Sequence, residues 1–294
     1  MDYILDFLDE TVFNHVYPES IPVDNPWRQL ASLFAFTTIG GAFAYLVPAT
    51  ILYYTVFDRR LEKHEKYIPN QRWLEIRYAM WALPYMTFPT ALMFLGEVRG
   101  YSMLYDNIDD HPWGVSFLFI TILFFLTFTD FWIYWIHRWL HHPILYGFHK
   151  PHHRWLICTP YASHAFHPLD GFSQSFPYHM YVFLFPMHKW LYLGLFTFVN
   201  TWSTMIHDEY YVVPEILRPI INGSAHHTDH HLFFNYNYGQ YFTFWDRVFG
   251  SFKNPTGFIP GQSVYDDLAR KGIMTERCSP SIAAELRSGK SKSQ

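Results

Sequence analysis

Residues 30–57, "LASLFAFTTIGGAFAYLVPATILYYTVF", carry no charge, and the run ends only at Asp58. A helix that crosses a bilayer needs about 20 consecutive apolar residues. This run therefore limits the chain to a membrane protein or to a soluble protein with an unusually long buried helix. Two further runs favour the first. Residues 115–136 hold one internal charge, Asp130, and residues 76–95 are apolar apart from Arg77, with Pro84 and Pro89 as expected kinks. The 294 residues are 50% hydrophobic and only 16% charged, against roughly 25% charged in an average soluble domain. The acidic start "MDYILDFLDE" lacks the basic region of a signal peptide, so no cleavage is expected there.

Basic residues orient the spans. Arg59, Arg60, Lys63, Lys66 and Arg72 follow the first run, whereas residues 97–114 hold Arg99 alone beside Glu97, Asp106, Asp109 and Asp110. The positive-inside rule puts the first loop in the cytosol and the second in the lumen. The last long run then returns the chain to the cytosol at His137. Here lies "HRWLHHPILYGFHKPHH", with six histidines between positions 137 and 153. A second cluster, "HHTDHH" at 226–231, must share that side if it serves the same metals. The apolar stretch 176–205, broken by Pro186, His188 and Lys189, must therefore cross an even number of times or dip in. A re-entrant hairpin is expected, because each arm is short for a full crossing.

The histidine spacings point to metal. His137 and His141 are four apart and share one helical face. His149, His152 and His153 read H-x-x-H-H, and His227, His230 and His231 repeat that pattern. Eight imidazoles exceed the needs of one tetrahedral zinc and suit two metals with open positions. Imidazole alone does not choose among zinc, copper, nickel and iron, but clusters beside apolar helices suggest a redox metal acting on a lipid. Asp130, Asp170, Asp208 and Asp229 are candidates to fix ligand tautomers. Asp130 is foremost, since it shares a helical stripe with Tyr134, His137 and His141. His15, His64 and His111 read as ordinary polar residues. The net charge of -4 gives a nucleic-acid partner no support, and Cys158 and Cys278 are too few for a disulfide framework.

The boxes "HRWLHH", "HKPHH" and "HHTDHH" resemble those of the membrane fatty acid hydroxylase/sterol desaturase superfamily. "EVRGYSMLYDN", "TDFWIYWIHRWLHHP", "TPYASHAFHPLDG" and "NYGQYFTFWDRVFGSF" are similar to segments of the fungal sterol C-5 desaturases. The resemblance implies a di-iron, non-haem enzyme of the endoplasmic reticulum membrane. It would use dioxygen and electrons from NADH through cytochrome b5 to form a C5–C6 double bond in a delta-7 sterol, on the route to ergosterol. It places the ligands at His137, His141, His149, His152, His153, His227, His230 and His231, with His207 as an additional ligand and His142, His164, His167 and His226 as ligands or outer donors.

The expected architecture is all-α: an integral membrane helical bundle with a cytosolic histidine-rich di-metal cap. Residues 1–29 are expected as a lumenal segment, 30–255 as the hydroxylase/desaturase domain and 256–294 as a cytosolic tail. Lys290 and Lys292 resemble a dilysine retrieval signal, and the Asn222-Gly223-Ser224 sequon should stay unmodified in the cytosol. Two rival functions remain. One is a C-4 methyl sterol oxidase or fatty acid hydroxylase with the same boxes. The other is a histidine-rich metal transporter, which would place paired acids and histidines inside the spans.

Overall fold

The first long helix, α2 (Pro26–Thr55), begins where the sequence supplies a cap. The Asn25 side chain accepts from the Trp27 and Arg28 amides, and Pro26 fills the first helical position, where no donor is needed. The computed structural model describes residues 1–210, 213–214 and 216–255. Three more long elements follow α2: α3 (Gln71–Val98), α4 (Gly114–Leu140), and a hairpin of α6 (Pro168–Leu184) and α7 (Lys189–Ile206). Pro84 and Pro89 lie inside one continuous α3. In α4, Thr121, Thr127 and Thr129 give their hydroxyls to the carbonyls of Phe117, Leu123 and Phe125 at 2.7, 2.8 and 2.7 Å. Those polar groups are satisfied within the helix, as an apolar surrounding requires.

Among the described residues, α2 and α4 are long and apolar enough to cross a membrane. The outward faces agree. Ile39, Phe43, Val47 and Ile51 follow one another at four-residue steps on α2, all exposed. Trp81, Tyr85, Phe88 and Leu92 form a similar exposed stripe on α3, as do Val115, Phe119 and Leu123 on α4. Polar residues turn inward instead: Ser32, Gln71, Glu75, Thr129 and Asp130 are all buried. A bundle facing water has the reverse distribution.

Helix α2 packs on α3, α6 on both α3 and α4, and α7 on α2. At one end of the bundle, Leu61 and Tyr67 of the basic loop share a cluster with Trp155, Ile157 and Tyr161, beside the second histidine box. At the other end, Lys189 at the start of α7 pairs with Asp2 at 2.6 Å and Asp106 at 2.7 Å. There α1 (Asp2–Thr11) inserts Leu5 into the second cluster, with Leu33, Phe94 and Phe125.

The 176–205 segment forms the expected hairpin. Its break forms β2 (Met187–His188), which pairs in parallel with β1 (Leu104–Tyr105) in the loop between α3 and α4. The Met103 amide also donates to the Val182 carbonyl at 2.7 Å. Both arms therefore run the depth of the bundle, from the histidine end to the opposite loop. Helix α6 begins at Pro168, ahead of the expected arm, and the 17- and 18-residue helices rise about 26 Å at 1.5 Å per residue, still short of the roughly 30 Å hydrocarbon core. The tail 256–294, with Lys290, Lys292 and Cys278, lies outside the described residues.

Candidate metal centre

Helix ends and short turns deliver the histidines. His137 sits near the end of α4 and His141 caps it. α5 (Tyr146–His149) ends on His149, and a 3-10 turn carries His152 and His153. His207 caps α7, and α8 (Ser224–Phe233) carries His227, His230 and His231.

These nine rings form two groups. One comprises His137, His141, His149, His153 and His230; the other comprises His152, His207, His227 and His231. Within each, one ring nitrogen per residue lies within 4.8 Å of all the others. The sequence boxes do not map onto the groups. Neighbouring His152 and His153 belong to different ones, as do His230 and His231. Each H-x-x-H-H box thus feeds both sites. His207, isolated in its spacing, completes the smaller group.

Hydrogen bonds fix several tautomers. His137 Nδ1 faces the Tyr238 carbonyl at 3.0 Å, His230 Nδ1 the Tyr236 carbonyl at 2.7 Å, and His207 Nδ1 the Ser203 carbonyl at 2.6 Å. A carbonyl oxygen can only accept, so each Nδ1 carries the proton and each Nε2 presents a lone pair. His149 Nδ1 lies 2.7 Å from Asp170 Oδ2, which orients that ring likewise. The Nε2 atoms of His137 and His149 nevertheless stand 3.1 Å apart. Two lone pairs at this separation repel unless a cation lies against both. Close contacts recur at 3.1 Å for His141–His153 and His153–His230, 2.9 Å for His207–His227 and 3.0 Å for His227–His231. Burial, with mutual repulsion beside it, holds seven of the rings neutral: His141 is lowered to about 3, His207 to about 4, and His152, His153, His227, His230 and His231 well below the ordinary range. Neutral, converging and buried nitrogens are what two divalent cations require.

The remaining candidates do other work. His142 is exposed, and His164 lies between Ser163 Oγ and Asn200 Oδ1 at 3.0 and 3.3 Å. His167 Nδ1 caps α6 by accepting from the Leu169 amide, and His226 Nδ1 takes the Gly223 amide at the start of α8. The expected bond from Asp130 to His137 is absent from the structure. Asp130 Oδ1 instead accepts from the amides of Gln240 and Tyr241 at 2.9 and 2.7 Å. A loop distant in sequence lies across that face of α4, and its backbone donors claim the carboxylate. Asp246 accepts from the Tyr238 and Gly239 amides, both at 2.9 Å. Together the two aspartates hold the loop whose Tyr238 carbonyl orients His137. Asp208 accepts from the Tyr210 amide and Asp229 pairs with Lys253, so of the four aspartates only Asp170 bonds a ligand ring. The orienting carbonyls of Tyr236 and Tyr238 escaped sequence reading, since a backbone acceptor has no residue signature. Asn222 of the sequon is buried, with its amide donating to the Gly239 carbonyl.

A profile of the fatty acid hydroxylase family matches residues 122–251, a span that contains all nine histidines. The lathosterol oxidase of Homo sapiens is 53% identical over 88% of this chain and 87% of its own length. The chain belongs to the fatty acid hydroxylase family. Two fungal relatives are comparably similar. The Delta(7)-sterol 5(6)-desaturase erg31 of Schizosaccharomyces pombe is 50% identical over 87% of this chain and 84% of its own length. The probable Delta(7)-sterol 5(6)-desaturase of Neurospora crassa is 52% identical over 80% and 67%. No solved structure matches the chain. Membership removes the transporter reading and gives the two histidine groups a chemical context.

Proposed function

We propose that this chain is a delta-7 sterol 5(6)-desaturase of the endoplasmic reticulum membrane, acting on the route to ergosterol. The observation that carries the reading is the pair of buried all-histidine groups, whose lone pairs converge at 2.9–3.4 Å, in a chain half identical to fungal proteins with that printed activity. Iron is the metal that the family resemblance implies, and the site is compatible with it, since imidazole accepts iron and the reaction is oxidative. Bound iron would supply the activation of dioxygen, with electrons passed from NADH by cytochrome b5.

The chain's own residues place and protect this chemistry. His137, His141, His149, His153 and His230 would hold one iron, and His152, His207, His227 and His231 the other. Eight of the nine rings are buried and His141 is half-buried, so water is kept from the metals and the oxidant is kept for the substrate. His137 and His207 stand at the ends of α4 and α7. A flat sterol entering among the apolar helices would meet the centre where those helices stop. Position is the protein's main contribution, since removal of two neighbouring hydrogens depends on which carbons face the metals.

The basic loop 58–70 and the histidine cap share one end of the bundle, which supports a cytosolic cap and several crossings. Tags at Arg60 and Arg154 should then be reachable from the cytosol, and a tag at Asp109 protected. A tag at Arg154 protected from the cytosol would overturn this orientation. The function is tested by expressing the chain in a desaturase-deficient fungal strain and profiling its sterols. Conversion of delta-7 sterols to 5,7-dienes is expected. A 4-demethylated or hydroxylated product without the diene would overturn the proposal in favour of a sister oxidase.

A further inference from the structure

Three separate segments build the four-histidine group: the turn bearing His152, the end of α7 with His207, and α8 with His227 and His231. One buried side chain follows directly on the second of these and bonds both α8 and the chain that leaves the first. Glu209 follows His207 by two positions and is 1% exposed. Its Oε1 accepts from the Cys158 amide at 3.1 Å, in the strand of chain that leaves the second histidine box. Its Oε2 accepts from the Thr228 hydroxyl at 2.6 Å, on the residue next to His227 in α8.

The backbone at Glu209 is left-handed, with φ 55. A non-glycine residue rarely adopts that region, and does so where its surroundings over-determine the conformation. The bonds to Cys158 and Thr228 are such surroundings. The opposite side of the same segment is held as well, because Gln71 donates to the Ile157 carbonyl at 2.7 Å and Thr159 bonds Glu75. The His231 ring of α8 also lies against the Trp155 backbone of this segment, and Glu209 adds a tie that comes from the end of α7. Its carboxylate touches no ring of the group.

We infer that Glu209 is the positioning residue of the four-histidine group, setting the distance from His152 and His207 to His227 and His231. The inference rests on the two-metal reading above and deepens it. Outer residues that orient metal ligands typically contribute 10–100-fold to metal affinity, and a residue that spaces three ligand-bearing segments belongs in that range.

The test is metal content and chelator-driven metal release, measured on the purified full chain loaded with iron and, separately, with cobalt(II) as a spectroscopic probe. Wild type must first hold two metals per chain; fewer would sink the two-metal reading itself, before any variant is compared. Glu209→Ala is then expected to hold close to one metal. The retained cobalt should keep the absorption of the five-histidine group, and the other site should weaken roughly 10–100-fold. Glu209→Gln should restore both metals, because its amide oxygen can accept from Cys158 while its NH2 donates to Thr228, whose hydroxyl also reaches the Ser224 carbonyl at 2.8 Å. Should the alanine variant fail to insert, Thr228→Val removes a single contact and is read in its place, with the same selective weakening expected. Two metals at wild-type affinity in the variant that is read, or equal loss from both groups, would overturn the inference.

Discussion

The two histidine groups are built from the same side chain and held by different means. In the five-histidine group the orienting bonds reach across the chain: His137 to Tyr238, His149 to Asp170 and His230 to Tyr236. One of those partners is a buried carboxylate. In the four-histidine group His207 bonds Ser203 within its own helix, and His152 Nδ1 has no hydrogen-bond partner. His153 Nδ1 in the first group lacks a partner as well, so three of its five rings are oriented by bonds to other segments, while the second group depends more on the spacing of the segments that carry its rings. A cation should be held more tightly by the first, because less ligand freedom remains to be lost on binding.

The sharpest way to break this contrast is to remove one ring from each group. His230→Ala and His152→Ala should each abolish product while the protein stays in the membrane, and each should lose metal from its own group. Chelator release would show the second group emptying first in wild type. Full retained activity in both variants would remove the ligand assignment altogether.

A smaller effect is expected from Asp170→Asn. The asparagine can keep an acceptor towards His149 Nδ1 but loses the charge, and such outer bonds typically contribute 10–100-fold to affinity or activity. The loss should fall on the five-histidine metal alone. Equal weakening of both metals would show that the two groups do not behave independently.

Acid should act on the metal-free cap. His207 is lowered to about 4 and His141 to about 3 in the folded chain, both chiefly by burial, against about 6.5 when unfolded. Below that value the unfolded state binds protons that the folded state refuses, so stability falls as pH falls. The metal-free protein should lose its cap structure progressively from about pH 6.5 towards 4, followed by intrinsic fluorescence. Bound metal should move the transition to lower pH. Stability that rose on acidification would contradict neutral, buried rings.

The mildest expected change is Asp130→Asn. Because Asp130 anchors the 240–242 backbone rather than a histidine, the amide oxygen can still accept from those donors. The change in stability should stay within about 1 kcal/mol, because weaker hydrogen bonds to the amide are offset by the lower cost of burying a neutral group. Metal content should stay near wild type. Selective loss of the five-histidine metal would restore a direct link to His137.

The sequence carried much of this site and missed its partition. The apolar runs placed the cores of α2, α3 and α4, since uncharged stretches of spanning length have few other solutions. Helix α4 continues to Leu140, past the expected end at residue 136, and so carries His137 on a rigid element. The spacings brought out eight of the nine histidines that the fold gathers, because imidazoles on one helical turn share a side. They could not show that His152 and His153 diverge, or that His230 and His231 do, since that depends on where each segment meets the others. Asp130 was misjudged for a related reason. Its helical stripe is legible, but the loop covering it arrives from more than a hundred residues away. His207 showed only as a lone histidine, and its role comes from the end of α7 meeting α8.

Two metals held by nine histidines for one oxidation should be visible in the metal stoichiometry of the protein. The most direct measurement is iron per chain in purified, active protein, followed by removal and stepwise return of iron while 5,7-diene formation from a delta-7 sterol is recorded. Two irons per chain are expected, with no product from the stripped protein and activity restored only as the second equivalent binds. Full activity with one iron, or with none, would contradict the two-metal assignment.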